Sequence, residues 1–91
     1  MQWEEKVPNG KLVCFSVKAH DGRVTRVEIT GDFFLHPEDT IFKVEEYLTG
    51  IPADIRENEV ASMVREALGD AQLIGATPED FARIFKRAVS R

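Results

Sequence analysis

Apolar and polar residues alternate between Lys11 and Ile29, with one interruption in the middle. The alternating apolar positions are Val13, Phe15 and Val17 before the interruption and Val27 and Ile29 after it. A repeat of two residues is typical of β-strands that bury one face. The interruption contains Asp21 and Gly22, and an Asp-Gly pair readily adopts the positive φ angles of a tight hairpin turn. The pattern therefore predicts two antiparallel strands that are neighbours in a sheet.

A third extended segment is predicted over residues 30–35. Gly31 is expected to form a bulge or a bend there, because glycine inside a strand often marks such a site. Where the segment is extended, the consecutive rings of Phe33 and Phe34 point to opposite faces. One of the two rings must then find cover.

The rest of the chain repeats apolar residues at intervals of three and four, which is typical of amphipathic helices. The first helix is predicted to open at residues 36–39, with Pro37 in its first turn. The second is predicted over residues 54–68, and the third begins at Thr77, with Asp80 completing a capping box. The predicted buried positions are Ile41, Val44, Tyr47 and Leu48, then Val60, Met63, Val64, Ala67 and Leu68, then Phe81, Ile84, Phe85, Ala88 and Val89.

Strands followed by helices predict an α+β fold. We expect a single domain over residues 1–91, with a small antiparallel sheet of about three strands and about three helices packed on one face of it. Residues 1–6 are expected to form a flexible N-terminal segment. Trp3 in that segment would serve either as a local plug or as a docking residue.

The charge balance narrows the classes of partner. The chain has 12 basic and 16 acidic residues and a formal net charge of −4, which argues against a general affinity for nucleic acid or anionic lipid. No apolar run approaches the roughly 20 residues that span a bilayer. Residues 1–6 are polar and acidic, unlike a secretory signal. We therefore expect a cytoplasmic protein that binds another protein, and neither nucleic acid nor membrane.

Residue types that carry catalysis are sparse in this chain. Cys14 is the single cysteine, and it lies on the strand face opposite Val13 and Phe15 with no basic cluster beside it in sequence. We therefore expect a half-buried thiol rather than a nucleophile. His20 lies beside the hairpin turn and His36 just before a proline at a helix start, and two separate histidines cannot complete a metal site without several carboxylates. We predict no catalytic residue, no cofactor-binding residue and no metal site.

Four basic residues lie near the C-terminal end of the third predicted helix: Arg83, Lys86, Arg87 and Arg91. Cations at this end of a helix are favoured by the helix dipole, by a few tenths of a kcal/mol up to about 1 kcal/mol. We interpret these residues first as a complement to that dipole.

The least ordinary segment of the chain is Gly31-Asp32-Phe33-Phe34. Either one ring packs in the core and the other against a partner, or both rings pack in the core of this domain. The carboxylate of Asp32 is suited to capping the turn that follows.

Four short segments then stand in a characteristic order and spacing: Lys6–Val13 (KVPNGKLV), Asp21–Val24 (DGRV), Ile29–Phe34 (ITGDFF) and Leu48–Gly50 (LTG). Together they resemble the C-terminal accessory domain of lipoate-protein ligases, here as a free-standing chain. The resemblance runs from about Lys6 to Val89. It implies the small subunit of a split, archaeal-type lipoate-protein ligase.

The resemblance also implies a division of labour. In that family the large domain, fused or separate, holds the lipoate and ATP site, and the small domain is associated with adenylation rather than with transfer to the lipoyl-domain lysine. This chain would then bind the catalytic subunit of the ligase, which would hold ATP, Mg²⁺ and lipoate, and would support activation of lipoate to lipoyl-AMP without catalytic residues of its own. The residues expected to form the partner interface or to support the motif are Lys11, Gly31, Asp32, Phe33 and Phe34.

Two other classes of protein stay open at this point. Small α+β domains also occur among iron–sulfur and sulfur-carrier assembly proteins, and a shared fold does not transfer function. Their chemistry needs an exposed reactive thiol, so Cys14→Ser would abolish function in that class and preserve it in a ligase subunit. The third hypothesis is a regulatory or homodimeric interaction module with no link to lipoate.

Overall fold

The first three strands form an antiparallel sheet in the computed structural model, which describes residues 1–90. They are β1 (Gln2–Lys6), β2 (Leu12–His20) and β3 (Arg23–Gly31), in the spatial order β1-β2-β3. Trp3 lies opposite Phe15, and Phe15 lies opposite Ile29, so an apolar row crosses all three strands on one face. Asp21 and Gly22 join β2 to β3 with φ angles of 52° and 78°, which confirms the predicted hairpin.

The N-terminal residues, expected to be flexible, form the edge strand β1. The carbonyl of Met1 accepts a hydrogen bond from the N–H of Val17 at 2.8 Å. Trp3 packs half-buried against the core, which favours its interpretation as a local plug. The segment is ordered because the side chains of Trp3 and Glu5 both find partners on the inner face of the sheet, and its polar composition does not reveal this.

The extended segment predicted over residues 30–35 is divided in the structure. Thr30 and Gly31 complete β3, and the chain leaves the sheet at Asp32. Phe34–His36 forms β4, which pairs antiparallel with β5 (Gln72–Ile74) in a separate two-stranded sheet. The sequence did not predict β5, because three residues are too few to show an alternation.

Residues 1–90 contain three helices: α1 (Thr40–Leu48), α2 (Glu57–Leu68) and α3 (Pro78–Val89). α1 and α3 pack on one face of the three-stranded sheet, and α2 packs against these two helices. This arrangement confirms the α+β prediction. The residues predicted to face inward are buried or half-buried at every position. No helix in this part of the chain is long and apolar enough to cross a membrane.

The centre of the core is aromatic. Phe15 of β2 meets Phe81 and Phe85 of α3 edge-to-face, with ring centroids 5.7 and 6.1 Å apart, and all three rings are fully buried. Such pairs add about 0.5 to 1.5 kcal/mol beyond the burial of apolar area. These contacts fix α3 against the sheet.

The helix starts are set by local capping. The hydroxyl of Thr77 accepts the N–H of Asp80 at 3.1 Å, and the carboxylate of Asp80 accepts the N–H of Thr77 at 2.9 Å, so the capping box of α3 is confirmed. The other two helices begin three residues later than their predicted starts near Pro37 and at residue 54. The carbonyl of Pro37 accepts the N–H of Thr40 in a turn that precedes α1, and this turn replaces the predicted first turn of the helix.

Candidate functional site

Asp32 ties the end of β3 to the start of β2. Its backbone N–H donates to the carbonyl of Leu12 at 3.1 Å, and its carboxylate Oδ1 accepts the N–H of Leu12 at 2.6 Å. One residue therefore holds both backbone groups of Leu12. The carboxylate of Asp32 was predicted to cap the turn that follows it, but it binds the backbone of β2 instead. Asp32 therefore fixes the end of β3 to the start of β2.

At the same place, neighbouring atoms leave no room for a Cβ atom on Gly31 or on Gly75. A Cβ atom on Gly31 would lie 2.2 Å from the carbonyl oxygen of Leu12 and 2.9 Å from the ring of Phe33. A Cβ atom on Gly75 would lie 2.6 Å from Cγ of Lys11, whose N–H donates to the carbonyl of Gly75 at 2.8 Å. A side chain fits at neither position. The glycines therefore let three separate segments of the chain meet.

These contacts define a junction, made of Lys11, Leu12, Gly31, Asp32, Phe33 and Gly75. Four of the five residues singled out in the sequence belong to it, and Phe34 follows it directly. Sequence reasoning missed Gly75, because a glycine after a short strand resembles an ordinary turn residue. Its role depends on Lys11, which is distant in sequence.

The rings of Phe33 and Phe34 point in different directions. Phe33 is half-buried, and its ring packs edge-on against Phe81 with centroids 5.2 Å apart. The side chain of Phe34 is 52% exposed. The structure therefore favours the first of the two alternatives, with one ring in the core and the other at the surface.

An open groove lies beside the junction, between the end of β3, β4 and α1, with a volume of about 300 Å³. We call it the Phe34 groove. The buried and half-buried apolar residues of its lining are Ile29, Phe33, Leu35 and Ile41, and its exposed residues are Thr30, Gly31, Phe34 and Glu38. The cross-strand partner of Phe34 in β5 is Ile74, which is also 52% exposed. Ile74 and Glu38 escaped the sequence analysis, because only the pairing of β4 with β5 and the packing of α1 bring them beside Phe34.

At the other side of the molecule, basic residues of α3 pair with β1. Both carboxylate oxygens of Glu5 are engaged: Arg83 Nε donates to Oε2 at 3.0 Å, and Arg87 and the indole N–H of Trp3 donate to Oε1. Arg83 and Arg87 were predicted to complement the dipole of α3, and in the structure they also form ion pairs with Glu5 of β1. Arg91 lies outside the described residues.

These contacts change the pKa of Glu5. Burial acts to raise it, but the hydrogen bonds from Trp3, Arg83 and Arg87 outweigh burial, so the pKa of Glu5 lies below its ordinary value of 4.5. A lowered pKa in the native state means that the ionised carboxylate stabilises the fold above the pKa of the unfolded chain. That stabilisation is lost as the pH falls through the lowered native pKa.

We expect Glu5→Gln to lower the free energy of unfolding at pH 7 by about 1 to 3 kcal/mol, because it removes a charged acceptor from partly buried donors. The variant should also lose less stability than the native chain when the pH falls below about 4.5. Urea unfolding between pH 7 and pH 3 measures both effects. Glu4→Gln, at an exposed neighbouring position, is the matched control. Parallel pH profiles for the native chain and Glu5→Gln would contradict the assignment.

Cys14 lies on the sheet face away from the helices, where it is 9% exposed. Its Sγ accepts a hydrogen bond from the side-chain amide of Gln2 at 3.4 Å. Cys14 is therefore buried more deeply than the predicted half-buried thiol, and it lacks the exposure that sulfur-transfer chemistry needs. Within residues 1–90, no three side chains of His, Cys, Asp or Glu are grouped so as to hold a metal ion.

The chain is similar in sequence to a lipoate-protein ligase subunit. Lipoate-protein ligase A subunit 2 of Thermoplasma acidophilum is 26% identical to this chain over 76 residues, which are 82% of this chain and 77% of the relative. No family model matches the chain.

A solved structure has the same fold. It comes from the structural analysis of an archaeal lipoylation system, a bipartite lipoate protein ligase and its E2 lipoyl domain, from Thermoplasma acidophilum. The TM-score is 0.75 at 24% sequence identity, over 93% of this chain and 94% of the matched chain. At this identity the likeness shows the fold alone. Sequence and fold thus agree with the expectation from the motifs: this chain resembles the free-standing small subunit of a split, archaeal-type lipoate-protein ligase.

Proposed function

We propose that this chain is a non-catalytic accessory subunit that binds the catalytic subunit of a lipoate-protein ligase and enables it to activate lipoate to lipoyl-AMP with ATP. The observation that carries the proposal is the sequence similarity to a ligase subunit 2 across 82% of this chain. The shared fold supports it, since it extends over 93% of the chain.

The proposal assigns the chemistry to the partner, which binds ATP, Mg²⁺ and lipoate. Adenylate formation requires the lipoate carboxylate and the α-phosphate to be held in line and shielded from water. A docked domain favours that state by ordering the loops that close over the substrates. This chain therefore supplies binding energy rather than reacting groups, and it acts in the cytoplasm with its partner.

Lipoate-dependent ATP–pyrophosphate exchange tests the proposal. The catalytic subunit from the same source is assayed alone and with this chain in equimolar amount. We expect exchange to rise at least about tenfold in the mixture, which corresponds to about 1.4 kcal/mol of preference for the activation-competent state. Mixtures without lipoate are the control. An unchanged rate, together with no detectable binding, would sink the proposal.

The second half of the reaction separates activation from transfer. With preformed lipoyl-AMP, the catalytic subunit alone should transfer the lipoyl group to its acceptor domain at the same rate as the mixture. Transfer that depends on this chain to the same extent as exchange would assign it a role in both steps and would contradict a role restricted to activation.

A further inference from the structure

Large apolar side chains are exposed at few places on the described part of the chain: Met1, Phe34, Phe42 and Ile74. Two of these four face each other across the β4–β5 pair, because Phe34 and Ile74 are register partners. Directly opposed side chains in an antiparallel pair have Cβ atoms about 4.5 to 5.5 Å apart. Phe34 and Ile74 therefore form one continuous apolar surface.

The contacts of the small sheet with the core come from its other face, and the ring of Phe34 stacks on His36 at the surface, with centroids 6.4 Å apart. Leu35 and Leu73 alternate to the opposite face of the same two strands, where they are buried and half-buried against the core. They anchor the small sheet. Phe34 and Ile74 keep about half of their area in water, which is unfavourable by roughly 25 cal/mol per Å² of apolar surface. An exposed aromatic and aliphatic pair beside a groove is typical of a protein–protein contact.

The charge at the groove indicates what binds there. Among the residues that line the Phe34 groove, the charged side chain is the carboxylate of Glu38, which is exposed. The groove therefore offers an apolar lining and one carboxylate. A partner segment with an apolar side chain flanked by lysine or arginine fits both, with the apolar group in the groove and the cation beside Glu38. A volume of about 300 Å³ accommodates one large side chain.

The size of the patch favours a larger partner over a second copy. Two half-exposed side chains present on the order of 200 Å², whereas a stable interface needs about 800 Å² per partner. A second copy of the chain would extend this contact poorly. Within residues 1–90, the other large apolar side chains that it exposes are Met1 and Phe42. A larger subunit can extend the contact around the groove with its own surface.

On the basis of the proposed function, we infer that the Phe34 groove, with Ile74 at its edge, is the surface by which this chain docks on the catalytic subunit. The groove receives an apolar side chain of that subunit flanked by a lysine or an arginine. The junction holds the groove in shape, since Gly31 and Phe33 belong to both.

Affinity for the catalytic subunit, measured by isothermal titration calorimetry, tests this inference. Phe34→Ser should weaken binding at least about 30-fold, as expected for a hot-spot side chain, and leave the urea midpoint close to that of the native chain. Ile74→Ser is a second apolar variant and should weaken binding in the same direction. The matched control is Phe42→Ser, which removes a ring that is 67% exposed and does not line the groove.

The charge is tested separately. Glu38→Lys should weaken binding at least about threefold at low salt, and the loss should shrink at high salt because exposed charges are screened. Glu66→Lys makes the same charge change at an exposed position of α2 and should leave the affinity unchanged.

The outcomes separate the docking surface from the proposed function. If the native chain does not bind the catalytic subunit, both fail. If it binds, and Phe34→Ser and Glu38→Lys bind with native affinity, the docking surface is wrong and the accessory function stands. A chain that is dimeric by light scattering, and that becomes monomeric in Phe34→Ser, would assign the groove to a second copy and overturn the inference.

Discussion

Phe81→Ala is expected to lower the free energy of unfolding by about 3 to 5 kcal/mol. The ring of Phe81 is fully buried, and it contacts Phe15 at 5.7 Å and Phe33 at 5.2 Å between centroids. Its removal leaves a cavity that faces the sheet, α3 and the junction at once. A chain of 91 residues has a total stability of about 5 to 13 kcal/mol, so the variant approaches the limit of folding.

Urea unfolding followed by circular dichroism measures this loss. Phe42→Ala is the matched control, because it removes the same ring from a site that is 67% exposed, and it should change stability by no more than about 0.5 kcal/mol. Phe81→Ala with a loss below about 1 kcal/mol would show that the ring does not fill the space assigned to it.

Gly31→Ala is expected to cost about 2 to 5 kcal/mol, which combines overpacking with backbone strain. The new Cβ atom would lie 2.2 Å from the carbonyl oxygen of Leu12, and a backbone atom cannot move aside as the end of a flexible side chain can. Because Gly31 also lines the Phe34 groove, we expect the variant to lose affinity for the catalytic subunit as well.

Gly22→Ala distinguishes the steric clash from the loss of glycine itself. Gly22 has a φ of 78° in the hairpin turn, and a Cβ atom there would have no atom within 4 Å. Alanine at this position should cost about 1 kcal/mol, the penalty of a left-handed backbone alone. Equal losses in the two variants, measured by urea unfolding, would contradict the assigned role of the close contact at Gly31.

The segments that carried the family resemblance touch each other in the folded chain. KVPNGKLV meets ITGDFF through the two hydrogen bonds between Leu12 and Asp32. DGRV meets LTG through Arg23 and Val24: Arg23 Nη1 donates to the carbonyl of Gly50 at 3.1 Å, and the N–H of Gly50 donates to the carbonyl of Val24 at 2.7 Å. Many of the motif residues therefore hold loops together, and Phe34 is the large apolar side chain of these segments that stays exposed.

The sequence by itself determined the elements whose signals are local. The alternation along β2 and β3, the Asp-Gly turn and the capping box between Thr77 and Asp80 each depend on residues a few positions apart. The helical stripes likewise identified the buried side of α1, α2 and α3. These signals can be read from the sequence because they come from the backbone preferences of neighbouring residues.

Only the tertiary structure decided the features whose partners are distant in sequence. β1 is ordered because Glu5 meets Arg83 and Arg87, and β4 exists as a strand because β5 arrives beside it. Neither pairing leaves a local periodicity in the sequence, since a three-residue strand and a partly buried carboxylate gain their stability from long-range contacts. For the same reason, the sequence could single out Phe34, and only the fold could place Ile74 and Glu38 around it.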